Sequence, residues 1–247
     1  MSLKGIKLVT FDATNTLLKF RVPPWQHYAV VARDHGFTGT ADDLKHRLLD
    51  SYKNTWTKYP NFGKCKINWD QWWTTVVKMT FDGLLPMNTD IEHIASRLIE
   101  EFSSTKCWRA VDGSNKLIQT LQDNGFILGV ISNFDPRLTI ILKSVKMNEK
   151  FDFILTSYES GYSKPDVKIF KYALEMCEKC TGKIVKPSES LHIGDDIEKD
   201  YHGARAAGWH ALLISQNIKS ETPPALNHVF KNLEELGKAI QNKTIHL

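Results

Sequence analysis

Short apolar runs alternate with helical segments in the second half of the chain. The runs at 126–132, 153–157, 191–193 and 211–215 predict strands, and the segments between them repeat their apolar positions at helical spacing. Continuous apolar strands that alternate with helices are typical of a parallel sheet covered on both faces. An earlier apolar run at 6–11 predicts a further strand of the same sheet.

The region 19–105 separates this first strand from the others and has helical periodicity throughout. We therefore predict an α/β fold: a Rossmann-like doubly wound parallel sheet formed by 1–18 and 106–247, with an inserted α-helical cap domain at 19–105. We expect most aromatic residues of the insert to pack a small helical core and one or two to line a substrate mouth. The residues in question are Trp25, Tyr28, Trp56, Trp69, Trp72 and Trp73.

Turn and capping residues support these boundaries. Asp135 and Asp166 each lie beside a proline at the predicted start of a helix, where a carboxylate can accept a hydrogen bond from a free backbone amide. Gly208 is placed to end the helix that begins after Asp196, and a strand follows it.

Composition limits the class of protein. The chain has 247 residues, of which 42% are hydrophobic and 24% charged, and it contains no apolar run long enough to cross a bilayer. The net charge of +4 is spread along the chain without a basic cluster, so we expect no nucleic-acid and no membrane partner. We see no targeting signal in the sequence and therefore expect a cytoplasmic protein. We expect it to be either a monomer or a homodimer.

Four cysteines are too few for a disulfide scaffold. Cys177 and Cys180 form a CxxC pattern, which is found in redox pairs and in zinc sites. No second CxxC or histidine pair accompanies it, and the segment has helical periodicity. We therefore interpret the pair as part of a helix with a buried cysteine.

Polar side chains follow four of the predicted strands. They are Asp12, the pair Ser132 and Asn133, Lys164, and Asp195. Loops at the carboxyl ends of parallel strands share one crevice, so residues far apart in sequence can meet there. Each residue taken alone is more often a helix cap, a turn residue or a solvated loop residue than a functional one, and the order of the four segments carries more information.

This order resembles that of the haloacid dehalogenase superfamily, in which an aspartate nucleophile, a serine or threonine, a lysine and paired acidic residues follow one another. The resemblance is carried by DATNTLL (12–18), SNFDPR (132–137), KPDVKIF (164–170) and LHIGD (191–195), and it covers nearly the whole chain. The insert lies where the superfamily has its helical cap. Within the superfamily, the chain resembles the rhythmically expressed gene two group of hydrolase domain-containing proteins.

The resemblance implies a magnesium-dependent hydrolase. Asp12 would attack phosphorus and form an aspartyl-phosphate that water later cleaves. Mg²⁺ would be held by Asp12, Asp195 and the backbone carbonyl of Thr14, a set of oxygen ligands that this ion prefers. The substrate would be a small phosphorylated metabolite, selected by the cap acting as a lid.

The remaining residues would stabilise the phosphate. Lys164 would offset negative charge, and Ser132 together with the backbone amide of Asn133 would donate hydrogen bonds to phosphate oxygens. Asp196 and Asp200 would hold Lys164 or a metal-bound water, and the alternative for either is a plain surface acid.

Position 14 departs from the pattern. Phosphatases of the superfamily have there a second aspartate that protonates the leaving oxygen and activates water, and Thr14 can do neither. The sequence thus leaves two interpretations: a slow phosphatase-like hydrolase, or a binding protein that holds metal and a phosphorylated ligand or protein partner without turnover. Dehalogenation is less favoured, because a halide-binding arginine cannot be placed in the insert. Asn15 replaces a frequent glycine, and asparagine tolerates left-handed backbone geometry.

Overall fold

The structure, a computed structural model, describes residues 3–218 and 220–247. Met1, Ser2 and Lys219, which fall within the predicted core ranges, lie outside the described residues. The chain divides into two compact units. One contains the described residues up to Lys19 together with Ala110–Asn133 and Lys146–Leu247, and the other contains Phe20–Arg109 and Phe134–Val145. The segment 134–145, which the sequence analysis assigns to the core, is thus grouped with the helices of the second unit.

Strands form a six-stranded sheet in the order β5-β4-β1-β6-β7-β8, with all recorded pairs parallel, and a separate two-stranded sheet of β2 and β3. The strands are β1 (Leu8–Phe11), β2 (Leu18–Phe20), β3 (Trp108–Ala110), β4 (Ile127–Ser132), β5 (Phe153–Thr156), β6 (Ser190–Gly194), β7 (His210–Ile214) and β8 (Val229–Phe230).

The helices connect these strands or build the second unit. They are α1 (Pro24–Arg33), α2 (Ala41–Lys58), α3 (Trp69–Phe81), α4 (Ile91–Glu101), α5 (Ser114–Asp123), α6 (Arg137–Ser144), α7 (Ser157–Ser160), α8 (Val167–Thr181), α9 (Gly203–Ala206) and α10 (Leu233–Gln241). A π-helix spans Ile197–His202, and short 3₁₀ turns lie at Asn61–Gly63, Asn148–Lys150, Pro187–Glu189 and Leu226–His228.

The sheet has the predicted Rossmann-like parallel arrangement with flanking helices. Every residue of β1 and β4 is buried, as expected for central strands covered on both faces. On one face, Phe170 and Ala173 of α8 pack with Leu8 of β1. Because side chains alternate along a strand, Val9 lies on the opposite face. The predicted fold class is confirmed, and the predicted strands at 6–11 and 126–132 differ from β1 and β4 only at their first residues.

The predicted capping residues act as expected. Asp166 accepts a hydrogen bond from the backbone amide of Lys168 at the start of α8, and Asp135 accepts one from the amide of Arg137 at the start of α6. Gly208, in the left-handed conformation at φ 78°, lies beyond the end of α9.

The second unit has an aromatic core. Trp72 is fully buried, and its ring lies edge to face with those of Tyr52, Trp56 and Phe62, at centroid distances between 5.2 and 6.4 Å. The expectation that most aromatic residues of this region pack a helical core is therefore met for these rings. The indole of Trp73 has a polar role, since its Nε1 donates to Oδ2 of Asp135 at 2.8 Å.

Asp135 is buried within this second unit and forms an ion pair with the buried Arg137, whose Nη2 donates to Oδ2 of Asp135 at 2.7 Å. The guanidinium group also lies over the rings of Trp69 and Trp73, at 5.4 and 4.9 Å from their centroids. A buried carboxylate is tolerated only where its oxygens are paired in this way.

Among the described residues, no helix is long and apolar enough to cross a membrane. The cysteines are free thiols, and the two of the CxxC pattern lie on α8 with Cys177 buried and Cys180 exposed. The expectation of a buried helical cysteine is met by Cys177.

Candidate active site

Three strand ends meet at the candidate site. β1 lies between β4 and β6 in the sheet, and the three strands run in the same direction. Asp12 directly follows β1, Ser132 ends β4, and Asp195 directly follows β6. Because the carboxyl ends of neighbouring parallel strands lie at one edge of a sheet, residues from three distant parts of the chain come together here.

A buried ammonium group links the acidic side chains. Nζ of Lys164 donates to Oδ1 of Asp12 at 2.7 Å, to Oδ1 of Asp200 at 2.5 Å and to the carbonyl of Ile131 at 2.8 Å. The three N–H groups of the ammonium are therefore all used. The side chain of Lys164 is only 2% exposed, so these contacts are made away from water, where they hold the ammonium firmly beside Asp12.

The main chain of Lys164 is fixed from the end of β4. The side-chain amide of Asn133 donates from Nδ2 to the carbonyl of Lys164 at 2.8 Å, and its Oδ1 accepts from the amide of Lys164 at 2.8 Å. From its place in the sequence, Asn133 is expected to donate a hydrogen bond to phosphate through its backbone amide. In the structure, the side chain of Asn133 has a further role, because its two hydrogen bonds position the main chain of Lys164.

The loop after β1 presents its polar groups at the same edge. The carbonyl of Ala13 accepts from the amides of Leu17 and Leu18 at 2.9 and 2.8 Å, so the loop closes without the carbonyl of Thr14. Asn15 has φ 61°, which confirms the predicted left-handed geometry. Its Nδ2 donates to Oδ2 of Asp195 at 3.3 Å, a contact that the sequence analysis misses.

The two acidic residues after Asp195 have different roles. Asp196 caps the π-helix by accepting from the amides of Glu198 and Lys199 at 3.0 and 2.9 Å. Asp200 is buried, and the amide of Asp196 donates to its Oδ2 at 3.0 Å. Of the three roles that the sequence leaves open for Asp200, the structure shows the contact with Lys164, and the burial of Asp200 excludes a plain surface acid.

Burial and charge shift the protonation of the cluster. Burial, together with the charge of Asp200, raises the pKa of Asp12 above its usual value, although Lys164 opposes this. Burial also raises the pKa of Asp195, and the charges of Asp12 and Asp200 raise it further, to about 7. In Asp200 the charge of Lys164 overcomes the effect of burial and holds the pKa well below its usual value. Burial lowers the pKa of Lys164, but Asp12 and Asp200 more than compensate, and the ammonium stays protonated.

These residues fit a divalent cation. Carboxylate oxygens of Asp12, Asp195 and Asp200 lie within 4.8 Å of one another, with one ammonium among them. When all are ionised, the three carboxylates exceed the ammonium by two negative charges. Both oxygens of Asp200 already accept hydrogen bonds from the protein. Asp12 and Asp195 therefore keep carboxylate oxygens of the kind that suits Mg²⁺, and Thr14, whose carbonyl is the third donor expected from the sequence, lies two residues after Asp12 on the same loop.

The structure thus brings together Asp12, Lys164 and Asp195, and it places Ser132, Asn133 and Thr14 on the adjoining strand ends and loops. Sequence reasoning misses His192, which is buried with its Nε2 3.1 Å from Oδ1 of Asp200. The sequence does contain a signal for His192, because it is a polar residue within the apolar run 191–193. Successive residues of a strand alternate between its two faces, so positions 192 and 194 of β6 lie on the same face.

Comparisons with known proteins agree with this arrangement. A family model described as haloacid dehalogenase-like hydrolase matches residues 6–208. The rhythmically expressed gene 2 protein of Drosophila melanogaster is 35% identical over 99% of this chain and 98% of its own length. The haloacid dehalogenase-like hydrolase domain-containing protein 3 of Bos taurus is 34% identical, over 94% of this chain and 95% of its own.

Solved structures share the fold at lower identity. A haloacid dehalogenase-type phosphatase from Thermococcus onnurineus superposes with a TM-score of 0.67 at 21% identity, covering 95% of this chain and 98% of that one. A 2-haloacid dehalogenase from Pseudomonas syringae gives 0.66 at 22% identity, covering 96% and 99%. The names of these two structures thus show that two different activities occur on this architecture. The family is defined by the family model and by the relatives that match over nearly the whole chain. The chain belongs to the haloacid dehalogenase-like hydrolases.

Proposed function

We propose that this protein is a magnesium-dependent hydrolase of small phosphorylated substrates and that Asp12 is its nucleophile. One observation carries the proposal: three carboxylates have oxygens within 4.8 Å of one another, and a single buried lysine pairs with two of them, Asp12 and Asp200. Such a cluster is stable in its ionised form only when further positive charge is present. A site for a divalent cation beside a nucleophilic carboxylate suits a phosphate dianion.

The proposed reaction has two displacements at phosphorus. In the first, Asp12 attacks with Oδ2, since its Oδ1 accepts a hydrogen bond from Lys164. A bond forms between this oxygen and phosphorus, and the bond from phosphorus to the leaving oxygen breaks, with the electron pair going to that oxygen. In the second, the oxygen of a water bonds to phosphorus, and the bond from phosphorus to Oδ2 of Asp12 breaks with its electron pair returning to the carboxylate. The protons of the water leave with the inorganic phosphate, and Asp12 is regenerated.

The surrounding residues stabilise charge during these steps. Lys164 favours the ionised form of Asp12 and offsets charge on the phosphoryl oxygens, while Ser132 and the backbone amide of Asn133 donate hydrogen bonds to those oxygens. Magnesium held by Asp12, Asp195 and the carbonyl of Thr14 would supply two positive charges that offset the repulsion between the carboxylates and the phosphate.

Thr14 sets the rate and the substrates of this reaction. A threonine hydroxyl cannot donate a proton to the leaving oxygen or remove one from water near neutral pH, and a positioned acid or base is worth about 10²–10⁴-fold in rate. We therefore expect slow turnover, with a preference for leaving groups that depart without a proton.

The test compares substrates with good and poor leaving groups. Purified protein with Mg²⁺ should release phosphate from acetyl phosphate or p-nitrophenyl phosphate, and Asp12→Asn should abolish the release. Thr14→Asp should accelerate hydrolysis, and more for a simple alkyl phosphate than for p-nitrophenyl phosphate, because only the alkoxide needs the proton. Thr14→Val, which has a similar shape and no carboxylate, is the matched control and should behave as wild type. Release that persists in Asp12→Asn would refute the proposal.

Thr14 also favours a second candidate, a protein that binds metal and a phosphorylated ligand without turnover. In that case Mg²⁺ binds to wild type while no Asp12-dependent phosphate release is found. The substrate-selecting role of the helical cap at 19–105, the monomeric or homodimeric state, the cytoplasmic location and the absence of nucleic-acid and membrane partners remain predictions.

A further inference from the structure

His192 occupies the centre of a buried polar path that leads to the candidate site. It lies on β6 directly opposite Thr10 of β1 in the parallel register, and both side chains are at most 1% exposed. Nδ1 of His192 is 2.8 Å from Oγ1 of Thr10, and Nε2 is 3.1 Å from Oδ1 of Asp200. The same oxygen of Asp200 accepts from Lys164.

The partners of the imidazole fix its tautomer. Asp200 is ionised beside Lys164, and an ionised carboxylate can only accept hydrogen bonds, so Nε2 of His192 carries the proton. In the neutral ring Nδ1 is then an acceptor, and the hydroxyl of Thr10 donates to it. Burial, reinforced by the charge of Lys164, lowers the pKa of His192, which agrees with a neutral ring.

We propose that Thr10 and His192 form a positioning pair that fixes the carboxylate of Asp200 and, through it, the ammonium of Lys164 beside Asp12. The inference deepens the proposed function and rests on Asp12 being the nucleophile. Asp200 is held from two sides, by His192 at Oδ1 and by the amide of Asp196 at Oδ2. If His192 is lost, this carboxylate can turn, and Lys164 turns with it.

A histidine that only filled space would need no polar partners. The face of His192 towards α8 is apolar, since Phe170 lies edge to face at 5.4 Å and itself contacts Trp209. Leucine would suit such surroundings without the cost of burying polar atoms. The imidazole instead has a partner on each nitrogen, and those partners lie on the path to Lys164.

The test uses three variants that separate the donor from the packing. His192→Leu removes both polar atoms, His192→Gln keeps an N–H donor on a neutral side chain, and Thr10→Val removes only the hydroxyl. With Mg²⁺ and p-nitrophenyl phosphate, we expect His192→Leu to lower kcat about 10–100-fold with little change in KM, as is typical when a residue that orients a catalytic group is lost. His192→Gln should recover most of this loss, and Thr10→Val should show a smaller loss than His192→Leu.

Urea unfolding of the same variants provides the control for folding. Equal loss of kcat in His192→Gln and His192→Leu, or losses that simply follow the free energy of unfolding, would overturn the positioning role. An unchanged kcat in His192→Leu would overturn it as well.

A spectroscopic signature separates this inference from the proposed function. In ¹⁵N NMR at neutral pH, the histidine signal that disappears in His192→Gln should show a neutral ring protonated on Nε2. A ring protonated on Nδ1, or on both nitrogens, contradicts the proposed path even if the protein hydrolyses phosphate esters. Conversely, a wild type without turnover refutes the proposed function. The tautomer of His192 then still decides whether Thr10 and His192 hold the carboxylate of Asp200.

Discussion

Gly194 is the residue whose substitution tests the architecture of the site most sharply. It ends β6, and a methyl group on its Cα would lie 2.2 Å from Cγ and 2.3 Å from Oδ2 of Asp200. Carbon atoms in contact prefer about 3.5–4.0 Å, so the carboxylate has to move by more than ~1 Å. Such a shift breaks its hydrogen bonds with Lys164, His192 and the amide of Asp196.

Two contributions set the change in the free energy of unfolding that Gly194→Ala causes. Overpacking a buried position typically costs about 1–3 kcal/mol. Losing a hydrogen bond between buried groups of which one is charged costs about 1.5–3 kcal/mol. Because the backbone of Gly194 does not need a left-handed conformation, no strain is added. We expect Gly194→Ala to lower the free energy of unfolding by about 3–5 kcal/mol, a large part of the ~5–15 kcal/mol of an ordinary domain.

Equilibrium unfolding in urea measures this loss of free energy. The slope of the free energy of unfolding against urea concentration should be the same in the variant and in wild type, which shows that only the stability has changed. Gly237→Ala is the matched control, since the added methyl on α10 meets its nearest neighbour, Cδ1 of Leu117, at an ordinary 4.0 Å. Alanine in a helix is about 0.5–1 kcal/mol more favourable than glycine, so this control should be slightly more stable than wild type. If Gly194→Ala loses less than about 1 kcal/mol, the close packing of Asp200 against β6 is refuted.

Two further outcomes are expected. The pKa of Asp195 is raised to about 7 without metal, so a proton competes with Mg²⁺, and the affinity for Mg²⁺ should rise roughly tenfold between about pH 6 and 8, as titration calorimetry can measure. Asp195→Asn should reduce this pH dependence, and a flat profile in wild type would contradict the shift in the pKa of Asp195. Trp73→Phe should lower the free energy of unfolding by about 1–3 kcal/mol more than Trp56→Phe, because it deprives the buried Asp135 of a donor, and equal losses would show that this hydrogen bond contributes nothing.

The sequence predicts the inner strands of the sheet well, because they are buried on both faces. The continuous apolar run of β4 is too short for an ordinary helix, which favours a strand, and Asp166 has a simple local role as a helix cap. The position of 134–145 is less predictable. It is grouped with the second unit, where it contacts residues far away in sequence: Trp73 donates a hydrogen bond to Asp135, and the guanidinium of Arg137 lies over the ring of Trp69. Such long-range contacts leave no periodic signal in the sequence.

Some residues of the candidate site can likewise be predicted from the sequence, and others cannot. Asp12, Lys164 and Asp195 can be found because each follows a strand or opens a helix in a recognisable order. The partners of His192 cannot be found from the sequence, because they depend on the register that places Thr10 beside it and on the close approach of Asp200 to Gly194. Registers between distant strands are set by the packing of the whole sheet.

The central claim, that Asp12 is a nucleophile towards phosphorus, is tested most directly by the mass of the protein after reaction. Wild type is mixed with Mg²⁺ and acetyl phosphate, quenched in acid and analysed as intact protein and as peptides. We predict the added mass of one phosphoryl group on the peptide that contains Asp12, which is absent in Asp12→Asn and shorter-lived in Thr14→Asp. A wild type that binds Mg²⁺ and never carries this group, while releasing no phosphate, would contradict the account and leave a metal-binding protein on a hydrolase fold.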